Sequence, residues 1–255
     1  MKKITSLLAA IAAIAGFAAL PAHAQQTASS YSVTTDFSYT SQYVFRGLQR
    51  LPRGDAFTPS IEGTLGNATR NGYLGLWTMQ PITRNQNNEI NFYAGYKQKI
   101  TRAISAEAVA TCYWYPEAQS VDRWGKYSYE LGAKFTYASR GITASAYGYY
   151  DLRLQAMTGV GLIGYSFPIA KFGTSIDVGF YVGTVGIRNW SPDFPGNAPK
   201  VRESYVYYGF DLSMPYHISE RAIVAVGLHY ATNQNTPAGT AANKVWFTLG
   251  LTTRF

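Results

Sequence analysis

The sequence predicts an all-β fold: a transmembrane antiparallel up-and-down β-barrel of about twelve strands behind a cleaved signal peptide. Period-two alternation runs through nearly the whole chain after Ser30. The alternating segments are long, about 9 to 14 residues, as tilted strands need to cross a bilayer, whereas strands of soluble sandwiches are typically about 5 or 6. The connections between them alternate short and long, which is the pattern of periplasmic turns and outer loops.

The chain opens with Lys2 and Lys3, continues through an apolar stretch from Leu7 to Leu20, and reaches Ala22-His23-Ala24 before Gln25. That order of charge, apolar run and small-residue site is a secretory signal peptide over residues 1–24, leaving a single barrel domain over 25–255. The apolar run of 14 residues is short for a membrane helix, which needs about 20. Removing 24 of the 255 residues leaves 231, and loss of Lys2 and Lys3 brings the formal charge from +8 to +6. No later stretch holds 18 consecutive apolar residues, so a helical membrane protein is excluded, and a soluble exported β-sandwich is the competing fold.

Composition separates these two. Aromatic residues make up 15% and charged residues only 14%, against roughly 25% charged in soluble domains. Amphipathic rings suit membrane interfaces. The single cysteine, Cys112, rules out an intramolecular disulfide and a Cys-based zinc site.

The first strand places Val33, Thr35, Phe37, Tyr39, Tyr43 and Phe45 on one face, and Thr34, Asp36, Ser38, Thr40, Gln42 and Arg46 on the other. Further strands are expected at 57–66, 72–80, 89–100, 104–115, 126–138, 141–152, 158–167, 174–185, 203–213, 221–231 and 244–255. From a periplasmic N-terminus, the turns fall at Asn67–Asn71, Thr101–Ala103, Ser139–Arg140, Pro168–Gly173 and Met214–Glu220. The outer loops fall at Leu48–Ala56, Pro81–Asn88, Pro116–Gly125, Arg153–Met157, Gly186–Arg202 and Thr232–Asn243, and the segments around Trp190–Pro195 and Asn233–Asn243 are the expected places of partner contact. In the last strand Val245, Phe247, Leu249 and Leu251 alternate with polar neighbours up to Phe255. A terminal phenylalanine on such a strand resembles the signature read by the barrel insertion machinery.

If the apolar faces meet outer-membrane lipid, the polar faces line the lumen. Candidate pore-lining residues are Arg46, Glu62, Lys97, Lys99, Glu130, Lys134, Asp151, Asp211 and Arg221, with Asp36, Gln42, Glu107, Asp177, Tyr205, His229 and Arg254 on the same faces. Acids and bases nearly balance, so no ion preference is expected. Inward tyrosines, including Tyr93, Tyr113, Tyr147, Tyr149, Tyr181 and Tyr205, suit an open narrow pore, a partly plugged lumen or a stacking surface alike. An outer aromatic girdle is expected from Tyr43, Phe45, Trp77, Tyr113–Tyr115, Trp124 and Tyr127, and a periplasmic one from Tyr73, Tyr96, Tyr137, Phe167, Phe172 and Phe255.

Nothing suggests catalysis. His217 falls in an expected turn, His229 is a lone inward imidazole, and no nucleophile elbow or metal spacing occurs, so no catalytic residue, cofactor or metal is expected. Cys112 shares a face with Ala106, Ala108, Ala110 and Trp114, as an unreactive lipid-facing or buried thiol would.

The segments TSQYVFRG, AFTPSIEGTL, NGYLGLWTM, EINFYAGYKQKI, CYWYPEA and SYELGAKFTY resemble the TorF family of porin-like proteins, which begin with a strand of the type SDYVFRG. Here Ser41-Gln42-Tyr43 replaces the usual Ser-Asp-Tyr, and Arg50–Asp55 is longer and more basic. The resemblance implies an outer-membrane location and a porin-like role, with Arg46 near the outer mouth. The expected function is passive passage of small hydrophilic solutes, without nucleic acid as a partner. The alternatives are a closed structural or adhesive barrel acting through its outer loops and, third, a lipid-modifying barrel enzyme.

Overall fold

The computed structural model describes residues 30–51, 54–83, 87–117, 126–187, 203–234 and 243–255. The signal-peptide segment, Trp124, the Trp190–Pro195 stretch and most of the 233–243 loop lie outside them. Within the described residues twelve strands close into one antiparallel barrel: β1 Ser30–Thr40, β2 Ala56–Gly66, β3 Arg70–Pro81, β4 Glu89–Lys99, β5 Ile104–Trp114, β6 Tyr127–Ser139, β7 Ile142–Asp151, β8 Ala156–Ile169, β9 Thr174–Ile187, β10 Glu203–Ser219, β11 Ala222–Gln234 and β12 Lys244–Arg254. Each pairs with its sequence neighbour, and β1 meets β12 in a register running from Thr34 opposite Arg254 to Thr40 opposite Thr248. Closure leaves no edge, so the backbone groups of every strand find partners in the wall.

The side-chain alternation sets the two faces. Large apolar residues stand outward, with Leu74 at 70% and Val245 at 60% exposure, while on the same strands Trp77 and Trp246 point inward. An apolar outer band over polar inner faces is the inverse of a soluble protein and suits lipid outside and water inside. Cys112 stands on the outward face of β5, beside Trp114, which stacks on Tyr127 with ring centroids 6.1 Å apart.

The turns are tight and locally encoded. The Asn67 side chain accepts the N–H groups of Thr69 and Arg70 at 2.9 and 3.0 Å, and Thr101 Oγ1 accepts those of Ala103 and Ile104. Arg140 and Gly141, with φ of 50° and 81°, close a two-residue hairpin. The Pro168–Gly173 turn shortens to a single 3-10 turn over Ala170–Phe172. Met214–Glu220 is not a turn: β10 runs on through His217 to Ser219, because Met214, Tyr216 and Ile218 continue the outward apolar row. Arg221 consequently sits exposed in the short turn to β11, not in the lumen wall.

The larger departure is at the first strand. It ends at Thr40, and the chain then turns into the barrel, where Val44–Phe45 pairs with Leu48–Gln49 as a small hairpin. Its two-residue tip, Arg46-Gly47, has φ of 51° and 74°, the left-handed pair that this hairpin twist requires. Tyr43, Phe45 and Arg46 therefore belong neither to a strand of the barrel wall nor to an outer girdle. Trp77, Tyr113 and Tyr73 also face inward, against that hairpin or the lumen wall.

Candidate functional site: a lumen crossed by a hairpin

The hairpin is fixed at its base by apolar packing and at its tip by polar contacts. At the base, Leu51, Ala56 and Met79 are buried together, with Tyr43 and Trp77 against them. The Tyr43 and Trp77 ring centroids lie 5.7 Å apart, and the Tyr43 hydroxyl reaches Glu89 at 3.4 Å. Burial, and then Glu89, push the Tyr43 phenol well above its ordinary pKa, so it remains a neutral donor. Glu89 also accepts Asn91 Nδ2 at 2.9 Å.

The tip reaches the far wall. Arg46 Nη2 donates to both carboxylate oxygens of Glu130 on β6, at 2.9 and 2.7 Å, and Tyr113 donates to the same carboxylate at 3.0 Å. The guanidinium carbon lies 4.6 Å from the Phe45 ring centroid and 5.3 Å from that of Tyr149. Burial acts most strongly, lowering the Arg46 pKa, but Glu130, Tyr113 and Tyr207 together outweigh it, so the net direction is up and the cation persists. Gly47 presses so closely on Tyr207 of β10 that a Cβ there would collide, and its carbonyl accepts Asn233 Nδ2 at 2.6 Å. The hairpin thus bridges from the β1–β2 side to β6, β10 and β11.

Beneath it lie two adjoining cavities. The first, about 490 Å³, is lined by the hairpin tip, by Tyr113, Tyr147, Tyr149, Tyr181 and Tyr207, by Val109, Val160 and Leu162, and by Glu107, Glu130 and Asp211. The second, about 480 Å³ and nearer the periplasmic ends of the strands, is lined by Ser32, Thr34, Glu62, Thr64, Asn71, Tyr73, Tyr93, Lys97, Glu107 and Arg254. Glu107 belongs to both and accepts the Tyr73 hydroxyl at 2.5 Å.

Wall glycines make this space possible. A side chain on Gly75 would collide with the ring of Tyr93, one on Gly132 with Tyr149, and one on Gly183 with Tyr207. Each tyrosine therefore lies flat along a neighbouring strand instead of projecting across the lumen. The sequence signal was available as inward tyrosines facing inward glycines on paired strands, but only the register joins them.

The structure groups some expected residues and separates others. Arg46, Glu130 and Asp211 meet at the upper chamber, with Lys134 beside it, its Nζ 4.8 Å from the Tyr147 ring centroid. Glu62 and Lys97 line the lower one, and Lys99 stands exposed at the end of β4. Asp151 is buried at the outer end of β7, where it accepts Ser128 Oγ and the N–H groups of Arg153 and Leu154. It fastens a turn. Tyr207 and Asn233, which contact the tip, are not among the pore-lining residues the sequence marks, because nothing local places them against the lumen.

His229 is not alone. Its Nδ1 lies 2.7 Å from Asp211 and its Nε2 3.0 Å from Thr248, with the ring stacked on Trp246 at 5.2 Å. The order acid, imidazole, hydroxyl resembles a relay, and the three sit on paired strands whose amides are taken up by the ladder. Among the described residues no group of three or more His, Cys, Asp or Glu forms a metal site.

The barrel fold is shared with solved outer-membrane channels. The NanC porin is 12% identical, with a TM-score of 0.51 over 87% of this chain and 98% of that one. The KdgM porin is 9% identical, with a TM-score of 0.52 over 87% and 99%. An outer-membrane channel from Pseudomonas putida F1 is 10% identical, with a TM-score of 0.54 over 92% and 99%. At such identities the likeness is one of fold. No curated protein matches in sequence. A family model does match, over residues 24–152, a span that contains the whole hairpin together with Tyr113 and Glu130. The chain belongs to this family, Gcw_chp, described as a bacterial protein of unknown function.

Proposed function

We propose that the protein is an outer-membrane porin-like channel for passive passage of small hydrophilic solutes, with its first outer loop folded inward as a constriction. The observation that carries this reading is the pair of adjoining cavities, about 490 and 480 Å³, leading from beneath the hairpin to the periplasmic rim. A barrel filled by its own side chains would lack them. The pore-lining set is Arg46, Glu62, Lys97, Glu130, Lys134 and Asp211, with Lys99 at the lower rim. The resemblance to the TorF family agrees with this assignment.

On the same reading the apolar band meets outer-membrane lipid, and the insertion machinery recognises β12 with Phe255. No chemical step is assigned: Asp211, His229 and Thr248 serve as a hydrogen-bonded brace between strands. The test is single-channel conductance of the refolded mature protein in a planar bilayer under a salt gradient. Discrete ohmic steps are expected. Silence from protein shown to be inserted would overturn the channel and favour a closed structural or adhesive barrel.

A further inference from the structure

The tip of the hairpin is an unusual place for an arginine. A two-residue turn with both φ values positive favours Asn, Asp or Gly, since other side chains crowd the backbone there. Yet Arg46 holds φ of 51°, and what it gains is a seat: the Glu130 carboxylate, the Tyr113 hydroxyl beside it, and the face of Tyr149. A carboxylate flanked by aromatic faces is the chemistry that recognises a guanidinium.

Arg46 occupies that seat imperfectly. Only Nη2 reaches Glu130, contacting both oxygens, whereas a guanidinium free of the turn can lay two nitrogens side by side along the carboxylate. The chamber around it is about 490 Å³, within the range of small-molecule sites, and Val109, Val160 and Leu162 offer apolar wall to an alkyl tail. Its charge agrees: even with Lys134 counted, Arg46 and one lysine face three carboxylates.

We propose that the upper chamber is a binding site for a small solute bearing a guanidinium group on an alkyl chain, and that Arg46 is a tethered occupant which such a solute displaces. Displacement frees the tip from Glu130 and leaves the base packed, so the hairpin is loosened by the solute it admits. This deepens the channel reading, but binding is measurable without conduction.

The test is isothermal titration of the refolded full-length barrel in detergent with butylguanidinium, with its uncharged isostere butylurea, and with butylammonium. Arg46→Gly is the principal variant, because glycine suits the turn and removes only the occupant. Folding of each variant is checked by its heat-dependent gel mobility. Butylguanidinium is expected to bind Arg46→Gly at least tenfold more tightly than the wild-type barrel, and at least tenfold more tightly than Arg46→Gly with Glu130→Gln. Butylurea should give no heat. Equal affinity with and without Glu130, or no binding to folded Arg46→Gly, would overturn the site. Equal binding of butylammonium would overturn the guanidinium assignment. Should Arg46→Gly not fold, wild-type protein against Glu130→Gln alone decides, with loss of the weaker wild-type binding expected. A silent barrel that binds would defeat the channel and leave this site standing.

Discussion

The two chambers of the lumen are nearly equal in volume and unlike in chemistry. The upper is walled by tyrosines and aliphatic side chains, and three carboxylates face its cations. The lower is polar, and Glu62 and Glu107 are matched by Lys97 and Arg254. The near balance of charge along the inner strand faces is therefore an average over unlike halves. Selectivity on this view resides above, where the hairpin narrows the path, and the lower chamber is a hydrated exit.

The largest effect that could break this division is removal of Arg46. Arg46→Ala leaves Glu130 enclosed without its cation and is expected to cost up to about 3 kcal/mol, less where lumen water reaches the carboxylate. A fall in the urea midpoint of the refolded barrel checks it. The double variant with Glu130→Ala should recover most of that loss, and both should conduct more than wild type. If neither changes conductance, the tip is not the constriction.

Next comes the wall that keeps the upper chamber open. Gly183→Val puts a branched side chain where the Tyr207 ring lies, with an expected cost of about 2 kcal/mol from forced repacking. The ring must swing inward, so single-channel current should drop along with the urea midpoint. Current unchanged would mean that Tyr207 does not border the conducting path.

A change in the lower chamber should behave differently. Tyr73→Phe removes the 2.5 Å hydrogen bond to Glu107 and is expected to destabilise by about 1.5 kcal/mol, as for bonds to charged groups, with conductance nearly unaltered. A marked shift in reversal potential would show that selectivity is shared between the chambers. The smallest effect is Asn233→Ala, which loses the 2.6 Å bond to the Gly47 carbonyl, at about 1 kcal/mol. More frequent current flickering at an unchanged mean step is its expected signature.

Most of the wall was legible before the structure. Alternation in segments such as Val245 to Leu251 fixed which residues face out, because a strand side-chain period of two leaves no choice once one face is apolar. The turns at Asn67, Thr101 and Arg140-Gly141 carried their own local hydrogen bonds or left-handed residues. The same alternation carries the reading of the first strand past its end at Thr40. Tyr43, Phe45 and Arg46 continue the alternation, yet the Arg46-Gly47 turn and the inward rings of Trp77 and Tyr113 draw them into the lumen. The sequence singles out Arg46 near the outer mouth and does not identify its partner. Its partner is Glu130, 84 residues away on β6.

By itself the sequence determined the barrel class, the strand number and the outward apolar band, since these depend on local alternation and on turn chemistry. Tertiary structure alone decided that the first loop folds inward, that Arg46 meets Glu130, that Tyr207 covers Gly183, and that the charges divide into unlike chambers. Those features depend on register around a closed sheet and on contacts across the lumen, and no periodicity along one chain records which far wall a loop will touch.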